Sequence, residues 1–275
     1  MRKNKSIILL MIFILALTFS GCSKIDNLKI KMGLKNNDFE YISENKIEKI
    51  VIQSTRDEGF RCVVTDKKTI NNIHDILSSA KAVEGKTDLD SDYIFEIYEW
   101  GKEPHRFNYV VGVQDKKMGN FYNDNESYVV SKRIDNDIIR NLSVLRKPRD
   151  FSVLYYRMIM QFLDENKYLF ENSSNIGINI KDDIEVAKYI LSIDVENFKD
   201  DLKAEFPNAE LVKDNKEEFD TVVNIKTYGY KEKVYKCIIT VKYKGSNKES
   251  KFYALCQVED NSWNIQISDK KQDDF

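Results

Sequence analysis

Three prolines and ten glycines in 275 residues leave no Pro-rich or Gly/Ser-rich tract. That excludes a collagen-like or low-complexity chain and predicts that most of the sequence folds. Histidine is scarcer still, with His74 and His105 the only two. Neither has an HExxH neighbour and no GxSxG elbow occurs, so zinc-protease and triad chemistry lack their parts. Four cysteines without a CxxC or zinc spacing make no disulfide framework. An excess of basic charge is also missing: 43 Lys+Arg stand against 45 Asp+Glu, a formal charge of −2. Nucleic acid demands a basic face, so it is not expected as a partner. No sequence motif asks for a cofactor, and none is expected.

Only one long apolar run exists, residues 7–19, broken by Thr18 alone. It is short of the roughly 20 residues a helix needs to span a bilayer. Arg2, Lys3 and Lys5 precede it, and Ser20, Gly21 and Cys22 follow. A charged start, a short apolar stretch and small residues describe a secretory signal whose N-terminus stays inside. Phe19-Ser20-Gly21-Cys22 resembles the lipobox of bacterial lipoproteins: Leu, a small residue, Gly or Ala, then Cys. Ser20, Gly21 and Cys22 match it, and Phe19 stands where Leu is usual. The resemblance implies cleavage between Gly21 and Cys22 and a diacylglyceryl group on the Cys22 thiol. The chain is then held on the extracytoplasmic face of the cell membrane. One acyl chain binds marginally, whereas two, at about 0.8 kcal/mol per buried CH₂, hold firmly. The alternatives are an uncleaved apolar anchor and a plain secretory signal with a chance cysteine. Loss of the signal removes three basic residues and moves the formal charge to −5, so the membrane partner is expected to be met through the lipid on Cys22.

Residues 22–46 read as a polar tether with weak periodicity. Residues 47–52 and 60–64 read as strands around the turn-prone Arg56-Asp57-Glu58-Gly59. Asp66 is placed to cap a helix whose Ile70, Ile73, Leu77 and Ala80 share a face. Residues 93–100 and 107–113 form a strand pair around Gly101-Lys102-Glu103-Pro104. Shorter strands at 121–122 and 128–131 lead to a helix at 134–145. The order β-β-α-β-β-β-β-α is that of a small α+β domain. Together with the aromatic strand from Tyr93 to Tyr98 and Tyr128-Val129-Val130-Ser131, this order over residues 47–146 resembles the YhfM-like lipoproteins of Firmicutes. That resemblance implies architecture and location, but no mechanism.

Arg146-Lys147-Pro148-Arg149-Asp150 marks a boundary, because Pro148 disfavours helix at Lys147. The second domain is then residues 147–275. A helix is expected at 151–169, with Phe151, Leu154, Tyr155, Met158 and Phe162 on one face. Asp182 or Asp183 is placed to cap another at 184–193, and a third covers 195–206. A hairpin around residues 245–248 puts Cys237 opposite Cys256, Ile239 opposite Ala254 and Val241 opposite Phe252. A second turn at Asp260-Asn261 puts Val258 opposite Trp263 and Cys256 opposite Ile265. A strand at 221–227 places Ile225 near Cys237. Helices followed by such a meander resemble cystatin-like or NTF2-like domains, which host many functions. The expected fold class is α+β: two small domains, each with helices on a mainly antiparallel sheet, after the signal (1–21) and tether.

Asp88, Asp90 and Asp92 form a D-x-D-x-D run with Glu99 at the spacing of a bidentate calcium ligand. Tyr93 occupies the position that needs glycine, however, and the second half reads as strand, so a solvated acidic turn competes with the calcium reading. Cys237 and Cys256 are compatible with a cross-strand disulfide or with buried thiols; direct opposition orients sulfurs poorly for a relaxed bridge. His74 and His105 read as surface residues. The functional expectation is a membrane-anchored binding or accessory module, its partner an envelope protein or the cell wall. The alternative is a hydrolase-type envelope enzyme whose carboxylates meet only on folding. A deep pocket with convergent, raised-pKa acids would favour the enzyme.

Overall fold

The computed structural model describes residues 35–43, 46–113, 115, 117–139, 147–246 and 248–275. The signal, Gly21 and Cys22 lie outside the described residues. A helical turn, Glu40–Ser43 (α1), leads into β1 (Ile47–Ser54) and β2 (Arg61–Val64). Helix α2 (Lys67–Ser78) follows, with Ile70, Ile73 and Leu77 on its buried face. Asp66 caps it as expected, accepting the Thr69 N–H at 2.8 Å. Next come β3 (Lys81–Ala82), β4 (Gly85–Lys86), β5 (Tyr93–Glu99), β6 (His105–Tyr109), β7 (Met118–Gly119), β8 (Phe121–Tyr122) and β9 (Ser127–Val129). Strict alternation along β5 turns Tyr93, Phe95, Ile97 and Glu99 inward. Seven strands form an antiparallel sheet in the order β2-β1-β5-β6-β8-β9-β3. A π-helical segment, Ile134–Ile139, fills the described part of the helix expected at 134–145.

Within the expected tether over residues 22–46, residues 36–43 are folded against the first sheet. Phe39 is buried among Phe107, Phe121 and Tyr128, with ring centroids 5.7, 6.0 and 4.9 Å away. Asn36 donates its side-chain amide to the carbonyls of Leu77 and Ala80 at 2.9 and 2.7 Å. Those carbonyls lie at the C-terminal end of α2, where the Leu77 carbonyl also accepts the Ala80 N–H at 2.9 Å. Helical periodicity is hard to see over so short a stretch, which is why it reads as tether.

The second half begins with α3 (Phe151–Glu165) and continues through β10 (Ile176–Asn179), α4 (Ser192–Glu205), β11 (Ala209–Leu211), β12 (Thr221–Lys231), β13 (Val234–Tyr243), β14 (Glu249–Glu259) and β15 (Ser262–Ser268). Its sheet runs β11-β10-β12-β13-β14-β15. Strand β10 is parallel to both neighbours, and the rest is antiparallel. Gly177 in β10 is required by close packing: a Cβ there would lie 2.6 Å from the Phe219 ring and 2.8 Å from a Val212 methyl.

Two expectations are corrected here. The helix at 184–193 does not form; only a 3₁₀ turn, Ala187–Tyr189, does. Asp183, expected as a candidate cap, is instead drawn into the core. It accepts the Thr227 N–H at 2.9 Å, and the hydroxyls of Thr227 and Tyr155 at 2.8 and 3.0 Å. The β13–β14 register is also displaced by two residues. Cys237 faces Ala254, Cys256 faces Tyr235 and Ile239 faces Phe252. Displacement by two keeps every side chain on its face, so the alternation that fixed the face could not fix the partner. The β14–β15 register agrees with expectation: Val258 opposes Trp263, and Cys256 opposes Ile265.

The fold is α+β. Among the described residues its buried apolar side chains form one cluster on the first sheet, one between α3, α4 and the second sheet, and a small third one of Val212, Phe219 and Val222.

Candidate functional site

Helix α4 starts without a capping side chain of its own, because Leu191 occupies the position before it. The missing acceptor comes from the other half of the molecule. Asp92, just ahead of β5, accepts the Ser192 N–H on Oδ1 at 2.8 Å. The same oxygen takes Arg56 Nη1 at 2.7 Å, and Oδ2 takes the Val111 N–H at 2.8 Å. Asp92 is 2 % exposed. A carboxylate this deep is costly unless its lone pairs are filled. Here a cation and two amides, one of them at a helix N-terminus, fill them.

The second nitrogen of Arg56 donates to Ser192 Oγ, which in turn donates to the Asp90 carbonyl at 2.7 Å. Leu191 packs against the first apolar cluster. Gly112, at φ +77°, admits Ile193 so closely that a Cβ would sit 3.3 Å from its methyl. Lys188 approaches Asp57 at 3.7 Å. The junction is thus a polar knot flanked by Leu191 and Ile193.

Beside the knot opens a cleft of about 1100 Å³. Its mouth is formed by Thr55, Arg56 and Asp90 from the first half. Ile180, Ile190, Val195 and Leu202 supply apolar wall, and Lys181, Lys199, Lys203 and Lys213 a cationic one. Lys181 pairs with Asp214 at 2.8 Å, and Lys199 with Glu196 at 2.8 Å. The Lys181 ammonium holds the Asp214 carboxyl below the usual aspartate range.

Among the described residues two carboxylates are shifted the other way, and neither lines this cleft. Burial raises Asp183, opposed by its bonds from Thr227 and Tyr155. Burial, with the nearby Asp92 charge, raises Asp194. Asp183 is closed inside the core and ties the loop after β10 to the sheet, so no substrate reaches it. Convergent raised acids in a pocket, the arrangement an acid–base hydrolase needs, do not occur in this cleft.

The acidic run does not gather around a single point. Asp88 and Asp90 are exposed, Asp92 is occupied by Arg56, and Glu99 stands at the other end of β5. There Lys102 at 2.7 Å and His105 at 3.5 Å hold the Glu99 carboxyl low. Among the described residues, no three His, Cys, Asp or Glu side chains are placed to hold a metal ion. His105 stacks on Tyr41 with centroids 4.2 Å apart, and His74 is mostly covered rather than on the surface. Cys62, Cys237 and Cys256 are free thiols. Burial pushes Cys256 up to about 12 and Cys237 well above its ordinary value.

Sequence reasoning missed Arg56, Ser192 and the lysine wall. Ser192 lies inside a helix drawn too early, and Arg56 in a turn. The available signal was Ser192 itself, a residue type that favours helix starts; its place as the first residue of α4 is visible only with Asp92 in position.

Residues 43–148 match the family model described as YhfM protein. No curated protein and no solved structure matches the chain. The matched span holds the entire first sheet and the mouth residues Thr55, Arg56 and Asp90. The remainder of the cleft belongs to the unmatched second half. No helix among the described residues is long and apolar enough to cross a membrane.

Proposed function

From a chain that carries a YhfM-type segment, we propose an extracytoplasmic lipoprotein, held at the membrane by lipid on Cys22 and serving as a non-enzymatic binding or accessory module. The observation that carries the binding role is the junction cleft: roomy, part apolar, part cationic, with the raised carboxylates elsewhere. Pockets of this size and mixed lining suit ligand capture. The knot at Asp92 serves this role by fixing the mouth, which belongs to one half, against the walls of the other. In this reading the second half is a cystatin-like or NTF2-like scaffold, and its partner is an envelope protein or a cell-wall component.

Anchoring is supported by the run of residues 7–19 ending on Ser20-Gly21-Cys22. Its test is Cys22→Ala with cell fractionation. The parent should stay with the membrane and the variant should appear in the soluble extracytoplasmic or medium fraction. A variant that remains membrane-bound would show that the apolar segment is the anchor and the lipid reading is wrong.

A further inference from the structure

We propose a second binding surface, on the outer face of the second sheet, that takes a peptide segment setting an aromatic ring beside carboxylates; residues 269–275 are a strap that occupies it until such a partner displaces them. Alternation along β12, β13 and β14 sends Ile225, Tyr235, Cys237, Ala254 and Cys256 into the core and their neighbours outward. Ile238, Tyr253 and Leu255 therefore share the outer face with the exposed Tyr228. The chain past β15 turns back onto that face. Phe275 stacks on Tyr228 with centroids 5.0 Å apart and meets Tyr253 edge-on at 5.1 Å. Lys271 lies over the Tyr228 and Phe275 rings at 5.4 and 5.7 Å. Lys236 donates to the Asp274 carbonyl at 2.6 Å. This face shares no residue with the cleft.

The strap is lightly held. Its pairing with β14 stops at Ser268, opposite Tyr253, and the Phe275 N–H bonds within the strap, to the Gln272 carbonyl at 3.1 Å. Closure also carries a cost, because Gln272 Oε1 is buried without a hydrogen-bond partner. Lifting the strap returns that oxygen to water. Beneath lies apolar surface: Leu255 is 4 % exposed yet outside the core cluster, and it stands opposite Lys236, the lysine that holds the strap.

Ring chemistry and charge select the occupant. Tyr228 and Tyr253 form a notch that an aromatic ring fills edge-on and by stacking. Lys226 and Lys251, outward on β12 and β14, are exposed and form no ion pair among the described residues. The two outward carboxylates at the ends of β14 are already taken, Glu249 by Lys242 at 3.5 Å and Glu259 by the Asn264 amide at 2.9 Å. The strap answers this surface with Asp269, Asp273 and Asp274 beside its ring, but it also carries Lys270 and Lys271. A partner segment with the ring and the carboxylates, and without the lysines, suits the bared face better.

The test uses the full chain in detergent micelles and a fluorescent peptide of residues 269–275 with Ser in place of both lysines, read by anisotropy. Phe275→Ala empties the notch and should bind the peptide saturably. The parent, whose strap competes as an intramolecular ligand, should bind it about tenfold or more weakly. Adding Tyr228→Ala to Phe275→Ala should weaken binding about fivefold or more, whereas Tyr228→Phe, which keeps the ring, should not. Lys226→Gln/Lys251→Gln should weaken binding and flatten its salt dependence. Equal binding by the parent and Phe275→Ala would show that the strap guards nothing. No binding by Phe275→Ala would make the contact internal packing alone. Binding indifferent to salt and to both lysines would overturn the acidic partner. Self-association of the parent that Phe275→Ala abolishes would give the notch to the strap of a second copy and overturn the partner peptide.

Discussion

Asp92 and Ser192 are one hundred residues apart in sequence and 2.8 Å apart in space, carboxylate to backbone N–H. One residue ends a loop of the first sheet and the other begins a helix of the second. The bond both caps α4 and docks the two halves, so the energetics of the helix and of the junction are shared.

Replacing Asp92 by Ala should therefore cost more than a loop mutation. It removes the cap, takes from Arg56 its carboxylate partner while leaving its bond to Ser192 Oγ, and leaves two amides without acceptors. Breaking a buried pair costs about 3–5 kcal/mol; with Arg56 partly solvated, about 3 kcal/mol is expected here. Urea unfolding measures it. A loss below about 0.5 kcal/mol, the usual range of a surface substitution, would mean the knot is incidental.

Asp183 predicts a pH dependence of stability with a definite sign. Burial places its folded-state pKa above the unfolded value of about 3.9. Below that value both states are protonated and the group is neutral toward folding. As pH rises from there through the folded pKa, the unfolded state ionises first and stability falls. Asp183→Asn removes this contribution. The stability of the parent relative to the variant should decline as pH rises across that window, measured by denaturant unfolding at several pH values. A constant difference would rule out the raised carboxyl.

Thiol reactivity should separate the three described cysteines. Cys62 is half-buried, whereas Cys237 and Cys256 are enclosed and held as thiols. The thiolate is the reactive form. In the native protein, iodoacetamide should modify Cys62 well before the other two, and denaturant should level the rates. Peptide mass spectrometry reads the order. Cys237 and Cys256 are diagonal neighbours on β13 and β14, a relation that typically leaves about 7–8 Å between Cα atoms, beyond a relaxed disulfide.

Gly177→Ala tests the packing of the parallel strand. The added methyl meets the Phe219 ring and Val212 inside van der Waals distance. Overpacking of this kind costs about 1–3 kcal/mol. A melting temperature equal to the parent's would show that Phe219 swings aside freely.

The legible parts of this fold are those governed by local chemistry. Asp66 announces its helix by a cap. Asp260 and Asn261, both at positive φ, make the tight turn that locks the β14–β15 register. Around residues 244–248 the loop is longer, so alternation alone set the faces and left the pairing free to move by two. Strands β10 and β11 were illegible for another reason. Residues Ile176–Asn179 are buried on both faces and show no alternation, and a parallel partner leaves no turn signal nearby. The candidate site inherits that difficulty, since its wall is β11 and its mouth lies in the other half.

The parallel pairing of β10 also orders the molecule in time. The β13–β14 and β14–β15 hairpins close loops of a few residues, whereas pairing β11 with β10 closes a long connection that includes α4. Closure entropy grows with the length bridged, and contacts that bridge more sequence form late. The cleft is thus assembled from the late-forming margin of the sheet. Margins with few partners are also where native proteins open first. Whatever fills the cleft closes that margin, so occupancy should be felt as slower hydrogen exchange along β11 while the distant β14–β15 hairpin keeps its own pace.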